Sequence, residues 1–152
     1  MNVECDVAKL IRKGGVVTNV SGSTLSEIYE SVLKQSDLSG YDKNTLLTEL
    51  LEREKVLSTA VGNTVAIPHP RRPLMKTEED QRIFVVYLNE PIDMKAPDSL
   101  KVSTLFMLFT SNSQTHLKVL SSLAKALHSL EFKRELEKKP SVEILCDFIN
   151  RL

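Results

Sequence analysis

His69 stands between Pro68 and Pro70, at the end of the run Gly62-Asn63-Thr64-Val65-Ala66-Ile67, and Arg71 and Arg72 follow at once. Proline fixes its own φ, has no N–H, and drives the residue before it into extended conformations. Ile67 and His69 each precede a proline, so the backbone that carries the imidazole is expected to be extended and stiff. A neutral imidazole is nucleophilic near pH 7 because its ordinary pKa is about 6.5. Held rigidly beside two cations, it suits phosphoryl transfer, which asks for in-line positioning and charge stabilisation more than for covalent machinery. The competing reading is a half-buried histidine in a proline turn; the two arginines and the tight flanking backbone favour function.

Two other histidines exist, His116 and His128. Asn112 or Ser113 can cap a long helix, which puts His116 in its first turn. The helix dipole there favours anions and lowers an imidazole's pKa. Two readings stay open: a second imidazole that contacts a phosphoryl group, or a solvent-facing helix residue. His128 falls about 120° around the same helix at 100° per residue and reads as surface. Other chemistries find no support. No His, Cys, Asp or Glu spacing resembles a structural zinc site, and Gly14-Gly15 lacks the Gly-Lys-Ser/Thr of a P-loop. There is no G-x-S-x-G elbow. Asp93 and Asp98 flank Ala96-Pro97 and read as turn formers rather than as an acid–base pair. Neither a metal nor a cofactor is expected.

These residues must be positioned by one core. The 152-residue chain suits a single domain over 1–152, with 41% apolar and 26% charged residues. Lys+Arg and Asp+Glu number 20 each. A net charge of zero argues against non-specific nucleic-acid binding, which needs a basic surplus. Cys5 and Cys146 lie at opposite ends and form no framework, which reads as free thiols in a reducing compartment. Met1 to Asp6 shows no signal-peptide h-region, and the most apolar stretch, Val102 to Phe109, is too short to span a bilayer. The expectation is a cytoplasmic protein without membrane insertion.

The hydrophobic pattern predicts a strand at Val16–Val20 and a helix capped by Thr24 and ending near Gln35, with Thr24-Leu25-Ser26-Glu27 as a capping box. Asp42 caps a second helix through Glu54, with Leu46, Leu47, Leu50 and Leu51 on one side and Arg53 in its last turn. Pro73 to Gln81 is expected to be a mobile loop, Arg82–Leu88 a buried strand, Asn89–Ser99 turns, and Val102–Phe109 a second strong strand. The long helix runs to Ser129 with Leu117, Leu120, Ala124 and Leu127 on its core face. A charged helix over Glu131–Lys138 and a last one opened by Pro140 or Ser141 complete the chain. Alternating strands and helices give an α/β class. Some intervals between strands are too short for a helical crossover, so the sheet is expected to be mixed.

Glu54 through His69 resembles the phosphorylation-site signature of enzyme IIA of the bacterial phosphotransferase system, in its fructose/mannitol and nitrogen-regulatory class. Leu51-Glu52-Arg53-Glu54, Ser58-Thr59, Gly62-Asn63 and Ala66-Ile67-Pro68-His69 match parts of that signature in order. Pro91 to Asp98 and His116 to Ala124 are similar to the family's second and third blocks. The resemblance implies a mixed sheet with helices on both faces. It also implies that His69 takes a phosphoryl group from the histidine-containing phosphocarrier protein, then passes it to a downstream sugar-transport component or signals to a regulatory target protein. By position, Arg53 and His116 match residues that surround the phosphoryl group. Thr59, Gly62, Asn63 and Arg71 are the expected supports of that site. Two departures stand out: Pro70 where the family has a small residue after the active histidine, and Ser99 where it has glycine. A nitrogen-regulatory phosphocarrier is the leading reading. A sugar-specific IIA and an unphosphorylated binding module of the same fold are the competitors.

Overall fold

The computed structural model describes residues 6–152; Cys5 and the rest of the N-terminal segment lie outside the described residues. The elements run α1 (Asp6–Gly14), β1 (Gly15–Val20), α2 (Leu25–Gln35), α3 (Lys43–Val56), β2 (Ala60–Gly62) and β3 (Val65–Ala66). A 3-10 turn (Glu78–Asp80) precedes β4 (Arg82–Ile92) and β5 (Val102–Phe109), and α4 (Ser113–Ala126), α5 (Leu130–Glu137) and α6 (Val142–Asn150) close the chain. The five strands form one sheet in the order β1-β4-β5-β3-β2. It is mixed: β1 runs parallel to β4 and β3 parallel to β5, whereas β4–β5 and β2–β3 are antiparallel.

Strand alternation divides the apolar residues between two cores. Ile83, Val85 and Tyr87 of β4 with Phe106 and Leu108 of β5 pack against α1, α4, α5 and α6. Phe84, Val86 and Leu88 with Leu105, Met107 and Phe109 pack against α2 and α3. Both faces of the two central strands are therefore covered, which explains their nearly unbroken apolar runs. No helix among the described residues is long and apolar enough to cross a membrane.

Several expectations change. α1 was not anticipated; its buried Val7, Ala8, Leu10 and Ile11 recur at helical spacing. Gly14 ends it where a Cβ would lie 2.0 Å from the Ile83 carbonyl oxygen, so only glycine lets the helix come this close to β4. β4 continues through Asn89 to Ile92, inside the region expected to be turns, because Ile92 still pairs with Val102. The stretch after Pro73 is tied down rather than loose: Met75 N–H donates to the Thr110 carbonyl at 3.1 Å, and Tyr41 hydrogen-bonds both Asp80 and the Lys76 N–H. Asp93 and Asp98 do serve turns, accepting from Lys95 N–H (2.9 Å) and Leu100 N–H (3.1 Å). Ser99 adopts φ 61°, the left-handed conformation that glycine takes freely.

The core face of α4 also differs. Val119, Leu123 and Ala126 are buried, whereas Leu117 is 65% exposed and Ala124 is exposed; Leu127, just past the helix, is buried as expected. α4 carries apolar residues on two overlapping stripes, and contact with the sheet selects one. The selected stripe, followed back by i−3 and i−7 from Val119 and Leu123, arrives at His116.

Candidate active site

The site is assembled at the ends of α3, β3, β5 and α4. α3 leads into it because Leu46 and Leu50 bury one face of the helix, and Glu49 and Arg53 share that face at i, i+3, i+4 and i+7. In the last turn of α3, Glu54 holds the returning chain. Its carboxylate accepts from Thr59 N–H (2.7 Å), Thr59 Oγ1 (2.6 Å) and the buried Tyr29 hydroxyl (3.2 Å). Thr59 in turn offers its carbonyl to Ile67 N–H at 3.0 Å. On the other side Leu108 N–H donates to the Pro68 carbonyl at 2.8 Å, which extends the β3–β5 pairing to the residue before His69. The Ile67–Pro70 segment is thus fixed from both flanks, and its prolines remove the N–H groups that would otherwise need partners.

His69 is half-buried, and its Nδ1 lies 2.8 Å from the Ile67 carbonyl oxygen. A carbonyl only accepts, so Nδ1 carries the proton and Nε2 holds the lone pair of the neutral ring. Burial is the main reason that the His69 pKa falls from 6.5 to about 4, with His116 and Arg53 adding to the effect against the Ile67 hydrogen bond. The ring is therefore neutral across the physiological range. His116 meets it edge-on, with ring centroids 4.5 Å apart and planes at 67°. The His116 pKa is lowered too, first by burial and then by the Arg53 charge. His116 is half-buried rather than fully solvent-facing, and the two imidazoles are in contact. His128 is exposed beyond the end of α4.

A cleft of about 140 Å³ opens here, lined by His69, Pro70, Arg71, Arg72, Ser113 and His116 among others. That is the room of a few water molecules at about 30 Å³ each, enough for a phosphoryl group and little more. Ser113 is the first residue of α4, so the positive end of the helix dipole faces the cleft; Thr115 N–H is occupied by the Asn112 side-chain oxygen at 2.7 Å. Arg53 donates through Nη1 to the Leu57 carbonyl at 2.5 Å, which caps α3 and limits the guanidinium's travel while its field reaches both rings.

The expected supports divide. Thr59 is buried and acts through the backbone, as just described. Arg71 lines the cleft but is already paired: its Nε lies 3.3 Å and its Nη2 3.4 Å from the Glu49 carboxylate. Gly62 and Asn63 are not at the site. They form the β2–β3 turn with φ 92° and 56°, and Asn63 N–H donates to Asp98 at 2.8 Å. Thr64 sits against Ser103 and Thr104 whereas Pro68 sits against Leu108, so the turn is about 16 Å along β5 from His69 at 3.3 Å per residue. Glycine at 62 and a residue tolerant of φ > 0 at 63 serve the turn, not the anion. Glu49 was missed. The signal was available: it lies three residues after Leu46 and one before Leu50, on the core face, and a buried carboxylate must find a cation.

A half-buried neutral imidazole, a second imidazole in contact with it and a cationic rim come together on a mixed α/β sheet. The chain belongs to the phosphoenolpyruvate-dependent sugar phosphotransferase system EIIA 2 family, whose family model matches residues 9–152. Within that family it is similar to the nitrogen regulatory protein of Pseudomonas aeruginosa, 29% identical over 145 residues that span 93% of this chain and 92% of the relative. The nitrogen regulatory protein of Klebsiella oxytoca is 38% identical over 130 residues, 82% of this chain and 75% of that one. Among solved structures, nitrogen regulatory protein IIA-Ntr from Neisseria meningitidis superposes with a TM-score of 0.76 at 27% identity, covering 88% of this chain and 92% of that one.

Proposed function

We propose that the protein is a phosphohistidine carrier in which His69 Nε2 accepts the phosphoryl group from the histidine-containing phosphocarrier protein. The observation that carries this reading is the Nδ1 hydrogen bond to the Ile67 carbonyl, which leaves Nε2 as the nucleophile. The Nε2 lone pair attacks phosphorus in line; the bond from phosphorus to the donor's nitrogen breaks, and the donor ring keeps that electron pair. The Nδ1 proton stays in place, so the phosphorylated ring is cationic and the Ile67 carbonyl stabilises that charge. His116, neutral at pH 7, donates one hydrogen bond to a phosphoryl oxygen without gaining a competing charge. Arg53 and the N-terminal end of α4 stabilise the anion.

Similarity to nitrogen regulatory proteins supports a signalling role, in which a target protein reads the phosphorylation state in the cytoplasm. Incubation with phosphoenolpyruvate, enzyme I and the phosphocarrier, followed by intact-mass measurement, should show one acid-labile phosphoryl group. His69→Ala should abolish it. A phosphoryl adduct that persists in the variant would overturn the assignment. A phosphorylated protein that drives sugar phosphorylation by a fructose or mannitol transporter component would replace the signalling role with the transport one.

A further inference from the structure

Two arginines follow the active histidine, and the structure treats them differently. Arg71 makes a two-point contact with Glu49, at 3.3 Å through Nε and 3.4 Å through Nη2. Arg72 approaches the same carboxylate at one point only, 3.9 Å from Oε1 through Nη2, and its side chain is 68% exposed. Glu49 itself is 7% exposed and lies on α3, which the core holds in place through Leu46 and Leu50. Both arginines line the cleft beside His69 and His116. A phosphoryl group arriving there brings a charge of about −2 near pH 7 and competes with Glu49 for these cations. The two-point contact is the harder one to break, since planar guanidinium–carboxylate geometry fixes orientation as well as charge. The single long contact is the weaker one, and the Arg72 side chain is the more exposed of the two, 68% against 55% for Arg71.

Resting on the phosphocarrier reading, we propose that Glu49 is a positioning residue that partitions the two arginines: it keeps Arg71 as a fixed latch on the His69 loop and leaves Arg72 as the cation that meets the phosphoryl group. The partition has a consequence for transfer. The Glu49 carboxylate, paired with Arg71, cancels one positive charge at the rim and leaves one. The phosphoryl group is then attracted but not trapped, which a carrier needs if it is to pass the group on. It also accounts for Pro70. The backbone N–H lost at that position is compensated by an exposed side-chain cation two residues later rather than by the residue beside it.

The test compares Arg71→Gln, Arg72→Gln and Glu49→Gln with the wild type. The first readout is titration with inorganic phosphate, followed by the ring 1H–15N NMR signals of His69 and His116. The second is the equilibrium ratio of phosphorylated to free protein against the phosphocarrier. Arg72→Gln should weaken phosphate binding and lower the equilibrium ratio about fivefold each, the effect of one partly exposed charge pair, with an unchanged melting temperature. Arg71→Gln should lower the melting temperature and leave both ratios within about twofold once corrected for the folded fraction. Glu49→Gln should tighten phosphate binding and retain the phosphoryl group longer, and Glu49→Asp should restore part of the wild-type behaviour. Equal effects of the two arginine variants on phosphate binding would overturn the proposal, as would weaker phosphate binding in Glu49→Gln or no phosphate-dependent shift in the wild type. Where Glu49→Gln fails to fold, the comparison of the two arginine variants decides. Phosphate binding needs no donor, so a wild type that takes no phosphoryl group from the phosphocarrier defeats the phosphocarrier reading, while the titration still judges the partition.

Discussion

Burial holds the His69 imidazole neutral down to about pH 4, and this one side chain should make folding stability depend on pH. The sign follows from proton counting. Between pH 6.5 and about 4 the unfolded chain protonates this ring and the folded protein does not. The unfolded state therefore binds more protons, and stability falls as pH is lowered through that window. The contribution is fully present above pH 6.5 and is lost progressively on acidification. With one pKa step worth about 1.4 kcal/mol, integration from pH 7 to pH 5 gives a loss of about 2 kcal/mol from His69, and to pH 4 about 3 kcal/mol. His116, also depressed, changes stability in the same direction, so the wild-type profile alone cannot isolate His69. A His69→Gln variant can, because the other groups cancel in the comparison. Urea unfolding followed by circular dichroism at pH 7 and pH 5 should show the variant losing about 2 kcal/mol less than the wild type over that interval. Equal losses in the two proteins, within about 0.5 kcal/mol, would refute the claim that burial keeps this imidazole neutral.

Two other perturbations probe how the site is held. Glu54→Ala removes the acceptor for Thr59 N–H, Thr59 Oγ1 and the Tyr29 hydroxyl, leaving buried donors unpaired. It should cost about 3 kcal/mol in urea unfolding and slow phosphoryl acceptance in the remaining folded fraction, and a cost under about 1 kcal/mol would show that water replaces the carboxylate. His116→Ala should retain some phosphorylation of His69 but slow return of the phosphoryl group to the phosphocarrier roughly tenfold, with His116→Gln recovering part of the rate because its amide also donates. A kinetically silent His116→Ala in a phosphoryl chase assay would reduce the ring contact at 4.5 Å to packing.

Local chemistry determined a good deal of this protein without any structure. The proline pair around His69 dictated a backbone without helix, and Ile67–Pro70 has none, with Ile67 bonded to Thr59 and Pro68 to Leu108. The caps at Thr24, Asp42, Asn112 and Ser141 lie where their side chains accept from the first turns, since capping is a matter of three or four neighbouring residues. The long apolar runs of β4 and β5 announced strands buried on both faces. Questions of which face and which partner were settled only by the tertiary structure. The two apolar stripes of α4 fit the local pattern equally well, and contact with the sheet chose the one that carries His116 toward His69. Gly62 and Asn63 lie within seven residues of His69 in sequence, yet strand pairing holds them at the far end of β5, because an extended chain places near neighbours far apart. Arg71 looked free to meet an anion as long as Glu49, 22 residues earlier, was out of view. Charge pairing across such a distance depends on how α3 is laid against the site, and no local preference encodes that.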